Sequence, residues 1–471
     1  MNVGEIAITA IDAVTRETML FAAVGFLIGG LDDLLVDAVY LAVAARRRFG
    51  SARRPATIAG YPARAVPRRI AVFVAAWDES AVIGRMLRST LERFEHDDYR
   101  IYVGTYPNDR ETIAAAAAVA EKDDRVRVVI GSDKGPTTKA DCLNAIWGAL
   151  ARDEATHGGR AVAVVIHDAE DVVHRHELRV FDALIDTHPT VQLPVVPLIE
   201  RKKDLKAALV SGHYADEFAD SHGKQMVVRH AIGAGLPLAG VGCAIARDAL
   251  EALSGARNGR PFDAGSLTED YELGLLVGQG TFARVRESED GPLIAVHAYF
   301  PDTIEAAVKQ KARWMTGIAL AGWDRVGWSH IADWREHWMR MRDRRAPTAV
   351  LVLAAAYVAL VAWGLSEVAH ILSGTPAPGL AASVSLLLTV NLGLLLWRLA
   401  SRALFTGMAY GPVEAVLSLP RALAGNLIAL LAARRAVWRY VAMLRGAPLR
   451  WDKTTHAFPD DRTLAEEGLA G

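Results

Sequence analysis

Short apolar runs alternate with helical stretches between Arg69 and Ile166. Four runs have the length and composition of buried strands, namely 70–76, 100–105, 125–130 and 161–167. Three stretches of helical character separate them, at 80–94, 111–120 and 138–151. This alternation predicts an α/β domain with a mainly parallel sheet and helices on both of its faces.

Three of these four runs end in acidic residues. Ligands of open α/β sheets bind outside the carboxyl ends of the strands, so these acids predict a site at one edge of the sheet. The acids are Asp78 and Glu79 after the first run, Asp109 after the second, and Asp168, Glu170 and Asp171 after the fourth. Asp109 is also a candidate N-cap for the helix over 111–120, a role compatible with ligand contact. No Gly-x-Gly-x-x-Gly motif follows the first run, which argues against a dinucleotide site.

Longer apolar stretches predict membrane segments. The stretches 349–369 and 380–397 are each long enough to span a bilayer, and 19–44 is a further candidate. The 19–44 stretch is followed by three arginines and not by a small-residue cleavage site, so it predicts an N-terminal anchor. Eight arginines and no acid lie between 46 and 70, which places the chain from 46 to about 347 on the cytoplasmic side.

Two membrane-related features leave alternatives open. The weaker stretch 410–432 contains Pro412 and Pro420 and has arginines on both sides, which favours a re-entrant or interfacial helix pair bent at Pro420 over a true span. Asp32, Asp33 and Asp37 interrupt the first stretch, and they face either a polar channel or basic partner, or an interface.

The aromatic residues of 331–347 fall at helical spacing among arginines, which predicts an amphipathic helix lying on the membrane or packed on its own domain.

The resulting division of the chain is an anchor at 1–45, a cytoplasmic domain at 46–330, an interface helix at 331–347, a transmembrane hairpin at 348–400, a re-entrant or fourth segment at 401–440, and a tail at 441–471.

Composition narrows the function only a little. The chain has 53 basic and 54 acidic residues and a net charge of −1, so there is no bulk signal for nucleic acid. Cys142 and Cys243 lie in no metal-binding or redox spacing, and we interpret them as packed thiols in a reducing compartment.

Three motifs carry candidate chemistry. Asp168, with Glu170 or the adjacent Asp171, offers hard oxygen ligands suited to Mg²⁺ or Mn²⁺, although an exposed acidic turn is the simpler reading. Asp270, in Thr-Glu-Asp at 268–270, can act as a general base, or as the N-cap of a helix over 271–277. A helix is predicted over 305–317, and it places three residues on a single face: Gln310, Arg313 and Trp314. This face can bind a diphosphate and a sugar ring, or it can serve only to pack the helix.

These motifs occur in an order that resembles the processive family 2 glycosyltransferases of the cellulose- and hyaluronan-synthase type. Five stretches are more narrowly similar to the bacteriophage adsorption protein B family of inner-membrane glycosyltransferases: 106–109, 135–144, 167–171, 410–412 and 451–459. The resemblance covers roughly residues 18–460.

The resemblance implies a GT-A-like domain that transfers a sugar from a nucleotide-diphosphate donor, expected to be a UDP-sugar, with inversion. It implies donor contacts by Asp78, Glu79, Asp109, Lys139, Gln310, Arg313 and Trp314, catalysis by Asp270 with Glu269, and a cation at Asp168 with Glu170 or Asp171. The expected acceptor is a growing glycan or a lipid-linked sugar, in exopolysaccharide synthesis with an outer-membrane export partner. Alternatives are single-sugar transfer to a polyprenyl phosphate carrier and a non-catalytic scaffold or phage-uptake component.

A reporter enzyme that is active only in the periplasm tests the predicted topology. We expect activity when it is fused after Gly374 and none after Gly158, because the arginine-rich flank retains residues 46–347 in the cytoplasm. Activity of the Gly158 fusion would reverse the arrangement. A fusion at Ala457 decides the fourth segment, since activity indicates a complete span and silence a re-entrant one.

Overall fold

The computed structural model describes residues 3–49, 56–447 and 456–469. Its strands are β1 (Ile70–Ala75), β2 (Tyr99–Thr105), β3 (Val126–Ile130), β4 (Ala163–His167), β5 (Thr190–Gln192), β6 (Val195–Leu198), β7 (Cys243–Ala246), β8 (Thr281–Phe282) and β9 (Val296–Tyr299). Seven of them form one sheet in the order β3-β2-β1-β4-β7-β5-β8, and β6 pairs with β9. Only β7 runs antiparallel to its neighbours within the larger sheet, so the predicted mainly parallel sheet is confirmed.

Helix α1 (Val3–Phe49) precedes the α/β domain. The helices of the domain are α2 (Ile83–Arg93), α3 (Arg110–Ala120), α4 (Lys139–His157), α5 (Glu177–Leu184), α6 (Leu205–Asp220), α7 (Met226–Ala231), α8 (Arg247–Ala256), α9 (Glu269–Val277), α10 (Ile304–Trp314) and α11 (Gly322–Arg325). The remainder are α12 (Trp334–Arg344), α13 (Ala346–Ser373), α14 (Ala382–Tyr410), α15 (Pro412–Leu444) and α16 (Asp461–Glu466). Two segments are π-helical, Ser221–Gln225 and Met315–Ala321.

Both faces of the large sheet are buried. On β1, Ile70, Val72 and Val74 pack on one face with residues of α2, α3 and α5. The alternate residues Ala71 and Phe73 pack on the other face with residues of α4 and α8. The period of two in a strand produces this division. The parallel pairing of β1 with β2 and β4 brings the carboxyl ends of these three strands to one edge. Cys142 and Cys243 are buried free thiols within the second layer, as the sequence predicts.

Two predicted helices differ from the structure near the expected site. The helix expected over 271–277 begins at Glu269 instead, after Thr268, so Asp270 lies in its first turn and is not its N-cap. The single helix expected over 305–317 is α-helical only as far as Trp314 and continues as a π-helix from Met315. The sequence shows no breaker there because the change is one of hydrogen-bond spacing and not of direction.

Four helices have the length and apolar composition of a membrane span: Gly4–Phe49, Ala346–Ser373, Ala382–Tyr410 and Pro412–Leu444. The last is one continuous helix with Pro420 inside it, which differs from the expected pair of helices bent at that residue. Whether α15 crosses the bilayer or re-enters it stays a prediction.

Basic partners surround the acids of α1. Arg345 donates to Asp32 at 2.5 Å and to Asp33 at 2.6 Å, and Arg342 contacts both acids. Deeper along the helix, Asp37 Oδ1 forms an ion pair with Lys224 Nζ at 2.6 Å, and Asp37 Oδ2 accepts from Trp397 Nε1 at 2.7 Å. The structure therefore supports the basic-partner alternative for these acids.

The predicted interface helix shows features of both of its alternatives. In α12, Met339 is buried and Trp338 donates to Asp32 at 2.7 Å, so one face packs on α1. Trp334 and Met341 are exposed, as is Ile331 before the helix. Contact of this exposed apolar side with lipid stays a prediction.

A buried ionic cluster joins the α/β domain to α14 and α15. Asp216 of α6 has no exposed surface, and it accepts from Arg402 Nη2 at 3.0 Å and from Arg421 Nη1 at 3.2 Å. Arg421 also contacts Glu414, and a side chain at Gly212 would collide with its guanidinium. Glycine at 212 therefore permits the close approach of α6 to α15.

The substitution Arg421→Met should destabilise the fold strongly, because it leaves Asp216 and Glu414 buried without this guanidinium. Removal of one partner from a buried ion pair costs about 3–5 kcal/mol, so the melting temperature in detergent should fall clearly. Arg434→Met, on the exposed side of the same helix, is the matched control and should have little effect. Equal melting temperatures for the two variants would contradict this role of Arg421.

Candidate active site

Lys139 and Asp168 form an ion pair at the carboxyl edge of the sheet. Lys139 is the first residue of α4, whose N-cap is Thr138, and Asp168 directly follows β4. The Lys139 Nζ lies 2.5 Å from Asp168 Oδ1 and donates to the carbonyl oxygen of Gly240 at 3.1 Å. Burial by itself would lower the pKa of Lys139, but the surrounding carboxylates outweigh it and raise that pKa.

Asp270 lies near the same lysine. Gly240 has a φ of +75°, and a Cβ there would lie 2.5 Å from Asp270 Oδ2 and 3.4 Å from Lys139 Nζ. A residue with a side chain would be strained and obstructed at this position, so glycine lets the turn before β7 approach the two charged groups. The end of β4 and the starts of α4 and α9 thus meet around one point.

The charge balance around Asp270 suits a proton acceptor. Burial raises the pKa of Asp270, and the nearby Lys139 ammonium acts in the opposite direction. Burial and the neighbouring Asp270 raise the pKa of Glu269 to about 7. A general base works best when its pKa approaches the working pH, and carboxylates are usually too acidic for that.

The predicted Gln-x-x-Arg-Trp set lies on α10, next to the Thr-Glu-Asp turn. Arg313 acts to lower the pKa values of Asp168, Glu269 and Asp270, so its charge acts on the same region. Gln310 Oε1 is buried without a hydrogen-bond partner among the described residues. Trp314 packs edge-on to Tyr214, with ring centres 6.1 Å apart, and remains partly exposed. The helix therefore has the packing role that the sequence allows for this motif, and its role in the site stays a prediction.

The π-helical turn after α10 brings this helix onto the candidate base. A Cβ at Gly317 would lie 2.5 Å from Thr268 Oγ1, so the backbone of the π-helix contacts the Thr-Glu-Asp turn directly. Segments of this kind are frequent at functional sites, because the extra residue redirects neighbouring side chains.

The first two strand ends form a connected turn. Asp109 is the N-cap of α3, accepting from the backbone N of Thr112 at 3.3 Å, as predicted from the sequence. Its other oxygen accepts from the backbone N of Asp78 at 2.5 Å. The backbone N of Glu79 donates to Thr112 Oγ1 at 2.9 Å. Asp78 is exposed at the rim, whereas Glu79 is buried.

Asp171 and Glu170 point in different directions, although they are adjacent in the chain. Asp171 Oδ2 lies 2.9 Å from His167 Nδ1 and accepts from the backbone N of Asp168 at 3.0 Å, while His167 Nε2 lies 2.7 Å from Glu177 Oε1. Asp171 thus belongs to a buried cluster that fixes the strand end. Glu170 faces Glu79 and His456, and its pKa is raised to about 8 by burial, which the charge of His456 opposes.

His456 is the site residue that sequence reasoning missed. Its Nδ1 lies 2.7 Å from Glu79 Oε1 and 3.2 Å from Glu170 Oε2. Burial would lower its pKa, but Glu170 and Glu79 raise it to about 9. The available signal was the 451–459 stretch that supported the resemblance and contains this histidine; its first part, 451–455, lies outside the described residues.

Comparison with known proteins places this site in context. Residues 67–317 match the family described as "Glycosyltransferase like family 2". Bacteriophage adsorption protein B of Escherichia coli (strain K12) and bacteriophage N4 adsorption protein B of Escherichia coli O157:H7 are each 33% identical to this chain over 484 residues, or 95% of it. The chain spans 63% of the length of these curated relatives.

A solved structure shares the fold. The mannosyltransferase from Pyrobaculum calidifontis in complex with GDP-Man and Mn²⁺ superposes with a TM-score of 0.50, covering 91% of this chain and 99% of that one. At 16% identity the likeness concerns the fold alone, and it confirms the fold class expected from the sequence.

Lys139→Met should destabilise the chain, because it leaves the carboxylates of Asp168, Glu269 and Asp270 close together without the ammonium group. Loss of one partner from a fully buried pair costs about 3–5 kcal/mol, and the cost here should be smaller because the Asp168 side chain is 35% exposed. A thermal melt in detergent measures it. The double variant Lys139→Met/Asp168→Asn should melt at a higher temperature than Lys139→Met alone, since it removes one uncompensated charge. Lys134→Met, in the exposed preceding loop, is the control. Simple additivity of the two single effects would contradict this coupling.

Proposed function

Because this chain belongs to the family 2 glycosyltransferases, we propose that it transfers a sugar from a nucleotide diphosphate donor to an acceptor hydroxyl at a bacterial inner membrane. One observation carries the proposal: Asp168, Lys139 and Asp270 meet at the carboxyl edge of the sheet, with Gly240 beside them. Binding groups for an anionic donor and a candidate base thus lie together, where open α/β sheets bind ligands.

We assign the donor to the side of the site formed by β1, β2 and α4. The connected turn of Asp78, Glu79 and Asp109 would hold the nucleoside, which we propose to be uridine. Lys139 and Arg313 would hold the diphosphate, since an ammonium and a guanidinium are the usual partners of phosphate oxygens. The solved mannosyltransferase carries GDP-Man, so a donor assay should include guanosine as well as uridine diphosphate sugars.

The acids after β1 and β4 fit a divalent cation. The oxygen donors of Asp168 and Glu170 suit Mg²⁺ or Mn²⁺, and Glu170 Oε2 is buried without a hydrogen-bond partner in the described part of the chain. A bound cation would offset the negative charge that develops on the diphosphate leaving group. Asp171 contributes by holding the strand end through His167.

Asp270 is the proposed base of a direct displacement. The acceptor oxygen attacks the anomeric carbon, the bond from that carbon to the diphosphate oxygen breaks, and the acceptor proton passes to the Asp270 carboxylate. Attack from the face opposite the leaving group inverts the anomeric configuration. Glu269 would support this step as a neighbouring carboxylate. Burial and the charge of Asp270 raise the pKa of Glu269, as expected for two carboxylates that lie close together.

The acceptor side is proposed to be the turn at Gly240 and the face of α10. Trp314 is partly exposed there, and an indole offers a flat apolar surface to a pyranose ring. The buried cluster of Asp216, Arg402 and Arg421 attaches the catalytic domain to α14 and α15, which favours a product that is extended at the membrane. We therefore propose a growing glycan or lipid-linked sugar as the acceptor, a cytoplasmic catalytic domain, and a role in exopolysaccharide synthesis with an outer-membrane export partner.

Asp270→Asn should remove transfer while preserving the shape of the site. General base catalysis contributes about 10²–10⁴-fold, so the rate should fall by at least about two orders of magnitude. The measurement is incorporation of label from a panel of radiolabelled nucleotide sugars, with purified membranes and with a polyprenyl phosphate or a glycan as acceptor. Transfer to the polyprenyl phosphate alone would favour single-sugar transfer, and no transfer by the unaltered chain would favour the scaffold alternative.

Asp109→Ala is the matched variant on the donor side. It should weaken nucleotide binding, measured by calorimetry, whereas Asp270→Asn should leave that binding nearly unchanged. Near-normal transfer by Asp270→Asn, or a parallel loss of its nucleotide affinity, would show that the base has been assigned wrongly.

A further inference from the structure

Three potential metal ligands from distant parts of the chain converge beside the Lys139–Asp168 pair. Glu79 follows β1, Glu170 follows β4, and His456 lies in the segment before α16. Their ligand atoms all lie within 4.8 Å of one another. Metal–oxygen and metal–nitrogen bonds of about 2.0–2.3 Å place ligand atoms roughly 3–4.5 Å apart, so a single cation can contact all three once the 2.7 Å contact between His456 Nδ1 and Glu79 Oε1 opens slightly.

The segment that carries His456 is attached at several points. Phe458 packs against the core of the α/β domain, beneath the guanidinium of Arg85. Lys202 Nζ donates to Asp460 at 3.0 Å and to Thr463 Oγ1 at 2.6 Å. Arg201 pairs with Glu467 at 2.8 Å. These contacts hold residues 456–469 on the α/β domain, so the position of His456 does not depend on its own contacts alone.

A second observation points to a ligand between these side chains. Glu170 is only 8% exposed, and its Oε2 has no hydrogen-bond partner within the described residues. That oxygen lies 3.2 Å from His456 Nδ1 in an ion-pair contact, and Glu79 Oε1 lies 2.7 Å from the same nitrogen. A buried carboxylate oxygen needs a hydrogen-bond donor or a cation, because burial without either is costly.

The neighbouring ion pair limits what Asp168 can offer to the cation that we assign to Asp168 and Glu170. Lys139 occupies one carboxylate oxygen of Asp168 at 2.5 Å, and Asp171 is directed to His167. Of the three acids that follow β4, Glu170 is the one turned toward Glu79 and His456, so these two residues are the additional ligands within its reach.

We propose that Glu79, Glu170 and His456 bind one divalent cation, with the histidine supplied by the C-terminal segment. The proposal rests on the proposed function in that this cation would serve the same donor site, but its binding is measurable without any donor. An imidazole nitrogen beside two carboxylates suits Mn²⁺ better than Mg²⁺, which prefers an all-oxygen shell and retains its water. The site should therefore select Mn²⁺ over Mg²⁺.

A simple ion pair between a protonated His456 and the two glutamates is the alternative. The substitution His456→Ala separates the two, because it removes both the imidazole lone pair and the positive charge. If the histidine is a ligand, His456→Ala should lose the cation, as should His456→Lys, whose ammonium offers no lone pair. If the histidine is only a counter-charge, His456→Ala should retain or raise cation affinity, because it removes a positive charge from beside the two glutamates.

The test is a Mn²⁺ titration of the metal-stripped chain in detergent, without nucleotide, followed by the electron paramagnetic resonance signal of free Mn²⁺. We expect one bound Mn²⁺ per chain and a loss of affinity of at least about tenfold in His456→Ala, His456→Lys and Glu79→Gln. His157→Ala, an exposed histidine at the end of α4, is the control and should bind like the unaltered chain. A large excess of Mg²⁺ should displace Mn²⁺ only weakly.

The outcomes separate this inference from the proposed function. Absence of Mn²⁺ binding, or unchanged affinity in His456→Ala and Glu79→Gln, would overturn the site even if sugar transfer is observed. Bound Mn²⁺ that depends on His456, in a chain that transfers no sugar from any donor, would support the site and reject the function. Thermal melts identify any variant that fails to fold. If a His456 variant fails to fold, the Mn²⁺ affinity of Glu79→Gln supplies the result in its place.

Discussion

Three carboxylates at one edge of the sheet, those of Asp168, Glu269 and Asp270, lie around the ammonium group of Lys139. Acids of this density inside a protein would repel one another and resist burial unless a cation balanced them. Because Lys139 begins α4, its position depends on the sheet and on the cap at Thr138. The geometry of the candidate active site therefore depends on one lysine and on the elements that fix it.

The same principle operates where the α/β domain meets the long apolar helices. Asp216 lies between Arg402 and Arg421, and Asp37 contacts Lys224, so buried charges are paired across each junction. Such pairs add little net stability compared with apolar packing, but each is costly to break. They specify how α1, α14 and α15 sit on the domain.

Local patterns predicted the parts of the site that local geometry determines. The strand ends, the N-cap at Asp109 and the strand–helix alternation follow from periodicity within a few residues, and the structure confirms them. The choice between Glu170 and Asp171 as the second cation ligand does not follow from local periodicity, because neighbouring side chains point apart only once the turn is folded. His456 and the arginine partners of Asp32 were beyond reach for another reason, since both contacts join segments several hundred residues apart.

The most direct test of this account is a structure of the chain bound to UDP and Mn²⁺. The account predicts diphosphate density beside Lys139 and Arg313, the nucleoside at the turn of Asp78 and Asp109, and Asp270 open to the acceptor side. Nucleotide bound elsewhere on the domain, or an Asp270 carboxylate closed off from the bound donor, would contradict it.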